Sequence, residues 1–111
     1  MSYELHVERE SPLAFAELAR AMAPAGFSLR EPGEILAGEE RRPVAHWRDR
    51  VVGTPASDWD VAQLVRLAAA VGGRLRGEDG EHYYLRDGVI EVDGDAIGKI
   101  DEILREGPSA W

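Results

Sequence analysis

Apolar and polar positions alternate at the start of the chain, with Tyr3, Leu5 and Val7 separated by Glu4, His6 and Glu8. A period of two puts alternate side chains on opposite faces, so this pattern predicts a half-buried strand over residues 2–8. Short apolar stretches predict further strands at 27–30 and 34–37, joined by a turn across which they either continue or pair. The composition of residues 44–52 predicts one more strand.

A spacing of three and four residues between apolar positions predicts a first helix after Ser11 and Pro12. A serine can cap the free amides of a helix, and proline is tolerated at the first helical position. The apolar stripe expected to face the core consists of Phe15, Leu18, Ala19 and Met22. We expect this helix to end near residues 24–26.

The second helix has the strongest local signals in the chain. Ser57, with Asp60 three residues later, forms a pair typical of a capping box. Gly72 and Gly73 predict the end of this helix, because glycine adopts the left-handed conformation at low cost. Apolar residues between about 95 and 106 predict a third helix, which stops before Gly107 and Pro108.

Between the second and third helices the pattern changes to short strands separated by turn residues. The predicted strands cover 74–77, 82–86 and 89–92, with turns at 78–80 and at Asp87-Gly88. An Asp-Gly pair between two apolar stretches is a strong β-hairpin signal. The order of elements predicts a single α+β domain over residues 1–111. We expect a mostly antiparallel sheet with two to three helices on one face, in a ferredoxin-like or related two-layer sandwich.

Composition narrows the class of protein. The 111 residues are 44% hydrophobic and 31% charged, contain no cysteine, and include no apolar stretch of the roughly 20 residues that a transmembrane helix needs. The first ten residues lack the basic region and apolar core of a secretory signal. These observations predict a cytoplasmic protein with no disulfide, no thiolate nucleophile and no membrane segment.

Charge is the bulk property that points most directly to a partner. The formal net charge is −8, and 12 of the 21 acidic residues follow Ala56. A negative field repels phosphate backbones and anionic lipids, so it disfavours direct binding of nucleic acid or membranes and favours a basic protein partner. Solubility alone is the alternative explanation of the charge. The expected contact residues are six acids and two tyrosines: Glu78, Asp79, Glu81, Asp87, Glu91, Asp93, Tyr83 and Tyr84. Adjacent residues of a strand face opposite ways, so one of the tyrosines should be on the outer surface.

Candidate catalytic and metal-binding residues form no recognisable motif. His6, His46 and His82 each lie on a predicted strand, but no two have the spacing of metal ligands. The acidic stretch 91–102 fails as a calcium loop, because Ile97 and Leu104 replace ligands in one register and Ala96 replaces the required glycine in the other. Serine-nucleophile and phosphate-loop motifs are absent as well. We therefore expect no enzyme activity, no metal and no cofactor.

Two segments resemble small uncharacterised bacterial proteins that begin with MSYxLHxxR and contain an LGARVxGDDGExY-like block. These are residues 1–9, MSYELHVER, and residues 69–83, AAVGGRLRGEDGEHY. Some of those proteins are similar to the immunity proteins encoded beside polymorphic toxins, and they carry no catalytic motif. The resemblance implies an α+β immunity or inhibitor protein that neutralises a basic toxin domain. The alternative is a self-associating domain, such as a homodimer, or a small-ligand-binding one.

Overall fold

The structure is a computed structural model that describes residues 3–108. The helices are α1 (Phe15–Met22), α2 (Asp58–Ala70) and α3 (Ile100–Glu106), and a 3-10 turn at Ala23–Ala25 follows α1. The strands are β1 (Leu5–Glu8), β2 (Phe27–Arg30), β3 (Glu34–Ala37), β4 (Ala45–Trp47), β5 (Val51–Gly53), β6 (Arg74–Gly77), β7 (His82–Arg86), β8 (Val89–Val92) and β9 (Asp95–Lys99).

The nine strands form one antiparallel sheet in the order β2-β3-β4-β5-β1-β6-β7-β8-β9. Strand β1 lies near its centre, with Leu5 opposite Gly53 of β5 on one side and Gly77 of β6 on the other. Because β5 and β6 are both antiparallel to β1, they run parallel to each other, and α2 connects them as the crossover of a split βαβ unit. This arrangement confirms the expected α+β class with an antiparallel sheet.

Helix α2 is the centre of the core. Seven consecutive residues of this helix, 59–65, are buried, as are Leu67 and Ala68. A helix packed on one side only would alternate buried and exposed positions with a period of 3.6 residues. Burial all round α2 follows from its contacts with β6 and β7 on one side and with α1 and α3 on the others.

The sheet has an apolar face, on which the helices pack, and a polar face. Leu5, Val7 and Leu75 are at most 6% exposed and belong to the core. His6 and Arg76 alternate with these residues and stand opposite each other on the polar face. The alternation predicted for the first strand is therefore confirmed for Leu5–Glu8, while Ser2 is outside the described residues.

The first helix differs from the prediction at its start. It begins at Phe15, and its N-cap residue Ala14 offers no side-chain hydrogen bond. Ser11 does not cap this helix, because it lies three residues before the N-cap position Ala14. Its hydroxyl instead accepts a hydrogen bond from Nη2 of Arg9 at 2.9 Å. Leu18 and Met22 are buried as predicted, whereas Phe15 is 48% exposed and packs edge-on against the ring of Trp47.

The strand predicted over residues 44–52 is two strands. Asp49 has a φ of 62°, a left-handed conformation that turns the chain back on itself. The backbone NH of Arg48 donates to the carbonyl of Arg50 across this turn. Strands β4 and β5 then pair, with His46 opposite Val52.

The helix predicted over residues 95–106 is also wrong in its first part. Residues 95–99 form β9, which pairs with β8, and only 100–106 are helical. Asp93 and Gly94 have φ values of 49° and 94°, the left-handed pair that a tight hairpin turn requires. Hydrogen bonding to β8 thus overrides the helical spacing of the apolar residues that follow.

The local signals of α2 and of the hairpins that follow it are confirmed. The hydroxyl of Ser57 accepts from the NH of Asp60 at 3.1 Å. At the other end, Gly72 donates to the carbonyl of Ala69 and Gly73 to that of Ala68, the two hydrogen bonds of a Schellman motif. Strands β6, β7 and β8 have the predicted bounds.

Candidate functional site

Carboxylates from four separate segments lie at one end of the sheet, which we call the acidic end. They come from the residues before β1, the start of α2, the β6–β7 turn and the β8–β9 turn. Leu5 is opposite Gly77, and the NH of Asp93 donates to the carbonyl of His82, so these segments lie at the same end. The acidic end comprises Glu4, Asp58, Glu78, Asp79, Glu81, Asp93 and Asp95.

The structure brings together only part of the predicted contact set. Glu78, Asp79, Glu81 and Asp93 belong to the acidic end. Asp87 lies in the β7–β8 turn, at the opposite end of the sheet. The five residues of β7 span about 17 Å and separate this turn from the acidic end. The patch expected from the sequence is therefore divided between the two ends of the hairpins.

Glu91 is the buried member of the predicted set. It is 7% exposed in the middle of β8, where its Oε2 lies 3.2 Å from Nη2 of Arg86. The hydroxyl of Tyr84, directly opposite on β7, hydrogen-bonds this carboxylate, and that contact is the first cause of the raised pKa of Tyr84. Glu91 is thus enclosed on the polar face and offers little surface to a partner.

The two adjacent tyrosines face opposite ways, as predicted. Tyr83 is opposite Leu75 and packs against the core on the helix face. Tyr84 lies on the polar face, where its ring is 5.3 Å from that of His82. Tyr83 is therefore the tyrosine of the pair that borders the acidic end.

Tyr3 organises the acidic end, although nothing in its local sequence indicates this role. Its hydroxyl donates to the carboxylate of Glu81 and accepts from the NH of Asp79 at 3.1 Å. Burial, followed by the hydrogen bond to Glu81, raises the pKa of Tyr3 to about 12. A neutral phenol thereby holds the β6–β7 turn against the N-terminal segment, 76 residues away along the chain.

Further contacts fix the turns of the acidic end. Nη1 of Arg76 donates to the carbonyl of Gly80 at 3.1 Å. Oδ1 of Asp93 accepts from the NH of His82 at 3.0 Å. Because side chains and backbone hold both turns, the carboxylates are presented on a fixed framework.

An apolar groove opens at the acidic end, bordered by two of these carboxylates, Asp58 and Glu81. Its volume is about 460 Å³, and it lies between α2, β7, β8 and β9. Burial and the charges of Glu81 and Asp93 raise the pKa of Tyr83 in its wall, so the phenol stays neutral at physiological pH. We call this the acid-rimmed groove; it is lined by Tyr3, Pro55, Asp58, Val61, Glu81, Tyr83, Val92 and Ile97.

A second groove, the α2–β7 groove, lies on the same face nearer the C-terminal end of α2. It has a volume of about 500 Å³, and its walls include Val65, Ala69, Leu75 and Tyr83. Leu85 lines it and is 48% exposed. Sequence reasoning missed both grooves, because each forms between a helix and strands that are distant in sequence.

The three histidines lie in one cross-strand row of the polar face. His46 and His6 both stand opposite Val52, while Arg76 separates His6 from His82. His6 contacts Glu8 at 2.9 Å, and its hydrogen bond is the first cause of the lowered pKa of Glu8. Within residues 3–108, no group of three or more potential ligands is close enough to hold a metal ion.

Comparisons of this chain with protein-family models, with curated proteins and with solved structures give no match. Among the helices described, none is long and apolar enough to cross a bilayer. The longest, α2, has 13 residues, whereas a span requires about 20.

Proposed function

We propose that this protein is a non-enzymatic binding protein whose acidic end captures a basic protein. The observation that carries the proposal is an apolar groove at the acidic end that is bordered by the carboxylates of Asp58 and Glu81. Protein interfaces combine a desolvated apolar centre with a polar rim, and tyrosine is enriched among the residues that dominate binding. The acid-rimmed groove, with Tyr3 and Tyr83 in its walls, has this composition.

The most specific form of the proposal is an immunity or inhibitor protein that occludes a basic toxin domain. Carboxylates on a fixed framework can occupy a cleft that otherwise binds phosphates, and opposite charge accelerates the encounter. The resemblance of residues 1–9 and 69–83 to immunity-like bacterial proteins supports this form. In this role the protein would act in the cytoplasm of the producing cell.

Charge reversal at the acidic end tests the proposal. The variant Glu78→Lys with Asp79→Lys changes two exposed residues of the β6–β7 turn. The matched control, Glu102→Lys with Glu106→Lys, changes two exposed residues of α3 and shifts the net charge equally. If the local field matters, only the first variant should lose partner affinity, by about 10-fold or more.

The experiment uses the tagged full chain to capture proteins from a lysate of the source bacterium at low and moderate salt. We expect one basic protein in stoichiometric amount, retained by the wild type and the α3 control and lost by the turn variant. We also expect the captured protein's own activity to be suppressed in the complex. Equal retention by both variants, or the absence of any stoichiometric partner, would overturn the proposal.

A second candidate function is self-association or small-ligand binding through the α2–β7 groove. The exposure of Leu85 beside apolar walls favours it, because exposed apolar patches mark interaction sites. Light scattering on the purified protein should then show a dimer that Leu85→Glu converts to a monomer. A wild type that is monomeric at all concentrations and binds no apolar probe dye would contradict this function.

A further inference from the structure

We propose that the acid-rimmed groove is the binding site for one arginine side chain of the partner. This inference rests on the proposed function only in assigning the arginine to a protein partner. The groove itself joins two features that an arginine requires, an apolar surface for its methylene stem and carboxylates for its guanidinium.

The walls of the groove provide the apolar surface. Val61 of α2, which is 3% exposed, lines the groove together with Val92 of β8 and Ile97 of β9. Tyr3 and Tyr83 add two phenol rings. Guanidinium groups stack on aromatic faces, whereas a compact, strongly hydrated ammonium gains less from such walls, so the lining favours arginine over lysine.

The rim provides the charge. Asp58 approaches from the first turn of α2 and Glu81 from the start of β7, so carboxylates border the groove from both of its layers. Glu81 is already oriented, because Oε2 accepts from Tyr3. Oε1 of Glu81 is buried and has no hydrogen-bond partner among the described residues, so the carboxylate keeps the capacity to accept from a guanidinium.

The size and charge of the groove exclude other occupants. A volume of about 460 Å³ accommodates a long side chain with its flanking backbone and falls within the range of specific ligand sites. A carboxylate or phosphate would meet Asp58, Glu81 and the neighbouring Asp79 with the wrong charge. A purely apolar side chain would remove water from those carboxylates without adding a positive charge.

The test uses a capped peptide, acetyl-Gly-Arg-Gly-amide, titrated into the isotopically labelled full chain and followed by NMR. The matched probes replace arginine with citrulline, which keeps the shape without the charge, and with lysine. We expect saturable shifts at the amides of Val61, Tyr83, Val92 and Ile97, with a Kd at least about fivefold lower for arginine than for either probe. Equal binding of the three peptides, or shifts confined to other surfaces, would overturn the assignment.

Two variants distinguish binding in the groove from a general effect of the negative charge of the protein. Glu81→Gln and Asp58→Asn keep side-chain size, and each should raise the Kd of the arginine peptide about fivefold, whereas Glu102→Gln should leave it unchanged. The spectrum of each free variant reports whether the fold is intact. If Glu81→Gln perturbs the fold, Asp58→Asn provides the test. An equal loss of affinity in Glu102→Gln would overturn the groove assignment.

The two proposals fail in distinguishable ways. If the arginine peptide occupies the groove while Glu78→Lys with Asp79→Lys retains the protein partner, the groove assignment stands and the proposed function is wrong. If Glu78→Lys with Asp79→Lys loses the protein partner while the arginine, citrulline and lysine peptides bind equally, the proposed function stands. In that case the acidic end acts by charge alone, and the assignment of an arginine to the groove is wrong.

Discussion

Nη2 of Arg42, in the loop between β3 and β4, donates to Oδ1 of Asp60 at 2.8 Å and to Oδ2 at 3.1 Å. Asp60 is 1% exposed in the first turn of α2, and its Oδ2 also accepts from the NH of Ala56. One buried carboxylate therefore joins the loop, the approach to α2 and the helix itself. Asp60 raises the pKa of Arg42 through this hydrogen bond, so the cation persists at all physiological pH values.

Replacing Arg42, the basic member of this ion pair, should lower the free energy of unfolding. Arg42→Gln leaves the buried Asp60 without its cation, and because Arg42 is half exposed we expect a loss of about 1–2 kcal/mol in the free energy of unfolding. Urea denaturation measures the change. The neighbouring exposed Arg41→Gln is the control and should stay within about 0.5 kcal/mol of the wild type. Equal effects of the two substitutions would show that the ion pair contributes nothing specific.

The two predicted capping serines should respond differently to substitution. Ser57→Ala removes the acceptor for the NH of Asp60 and should lower the free energy of unfolding by about 1 kcal/mol. Ser11→Ala removes only an exposed contact with Arg9 and should change it by less than about 0.5 kcal/mol. Thermal or urea unfolding of the two variants provides the comparison, and a larger loss in Ser11→Ala would contradict the start of α1 at Phe15.

The turn between β8 and β9 should be sensitive at Gly94, whose φ is 94°. An L-residue pays about 1–2 kcal/mol in a left-handed conformation, so Gly94→Ala should lower the free energy of unfolding by about that amount. Backbone chemical shifts of the wild type should show extended conformations for residues 95–99 and helix from Ile100. Two results together would contradict strand β9: helical chemical shifts throughout residues 95–106, and an unchanged free energy of unfolding in Gly94→Ala. They would support the helix expected from the apolar spacing.

Tyr3 should make stability depend on pH in the alkaline range. Its pKa rises from 10.0 to about 12 on folding, first through burial and then through the hydrogen bond to Glu81. The folded state then binds this proton more tightly than the unfolded state, so its contribution is complete below pH 10 and is lost as pH rises towards 12. Unfolding monitored across this range should show a steeper decline in the wild type than in Tyr3→Phe.

The same substitution reports on the acidic end. Tyr3→Phe removes the acceptor for the NH of Asp79, so hydrogen exchange at that amide should accelerate. The amide of Ile100, which donates to Gly88 at the opposite end, is the internal control and should exchange as before. Unchanged exchange at Asp79, or identical alkaline profiles of the two proteins, would mean that Tyr3 does not hold the β6–β7 turn.

Adjacent strands and their turns are the part of the fold that could be predicted closely. The bounds of β6, β7 and β8 follow from an acidic turn and Asp87-Gly88, since these signals act over two to four residues. Asp93-Gly94 carries the same signal, whereas the spacing of Ile97 and Ile100 alone predicts a helix that begins near Asp95. That spacing also suits a strand followed by a short helix, so the periodicity alone does not distinguish the two.

The candidate site could be predicted in composition but not in arrangement. The acids from Glu78 to Asp93 are visible as a cluster in the sequence, yet Asp87 and Asp93 lie six positions apart and at opposite ends of β8. Glu91, between them, turns into the polar face beneath Arg86 and Tyr84. Which carboxylates meet depends on strand direction and on the alternation of side chains, and a one-dimensional cluster contains neither.

Local chemistry in the sequence is sufficient for the two ends of α2 and for the β7–β8 turn, because Ser57, Gly72 and Asp87-Gly88 act through hydrogen bonds and dihedral angles within a few residues. The burial of α2 and the joining of Tyr3 to Asp79 have no such local cause. They arise when β1 inserts between β5 and β6 and brings the N-terminal segment beside a turn 76 residues later. Long-range pairing is stabilised by the shared core rather than by neighbouring residues, so no local pattern in the sequence indicates it.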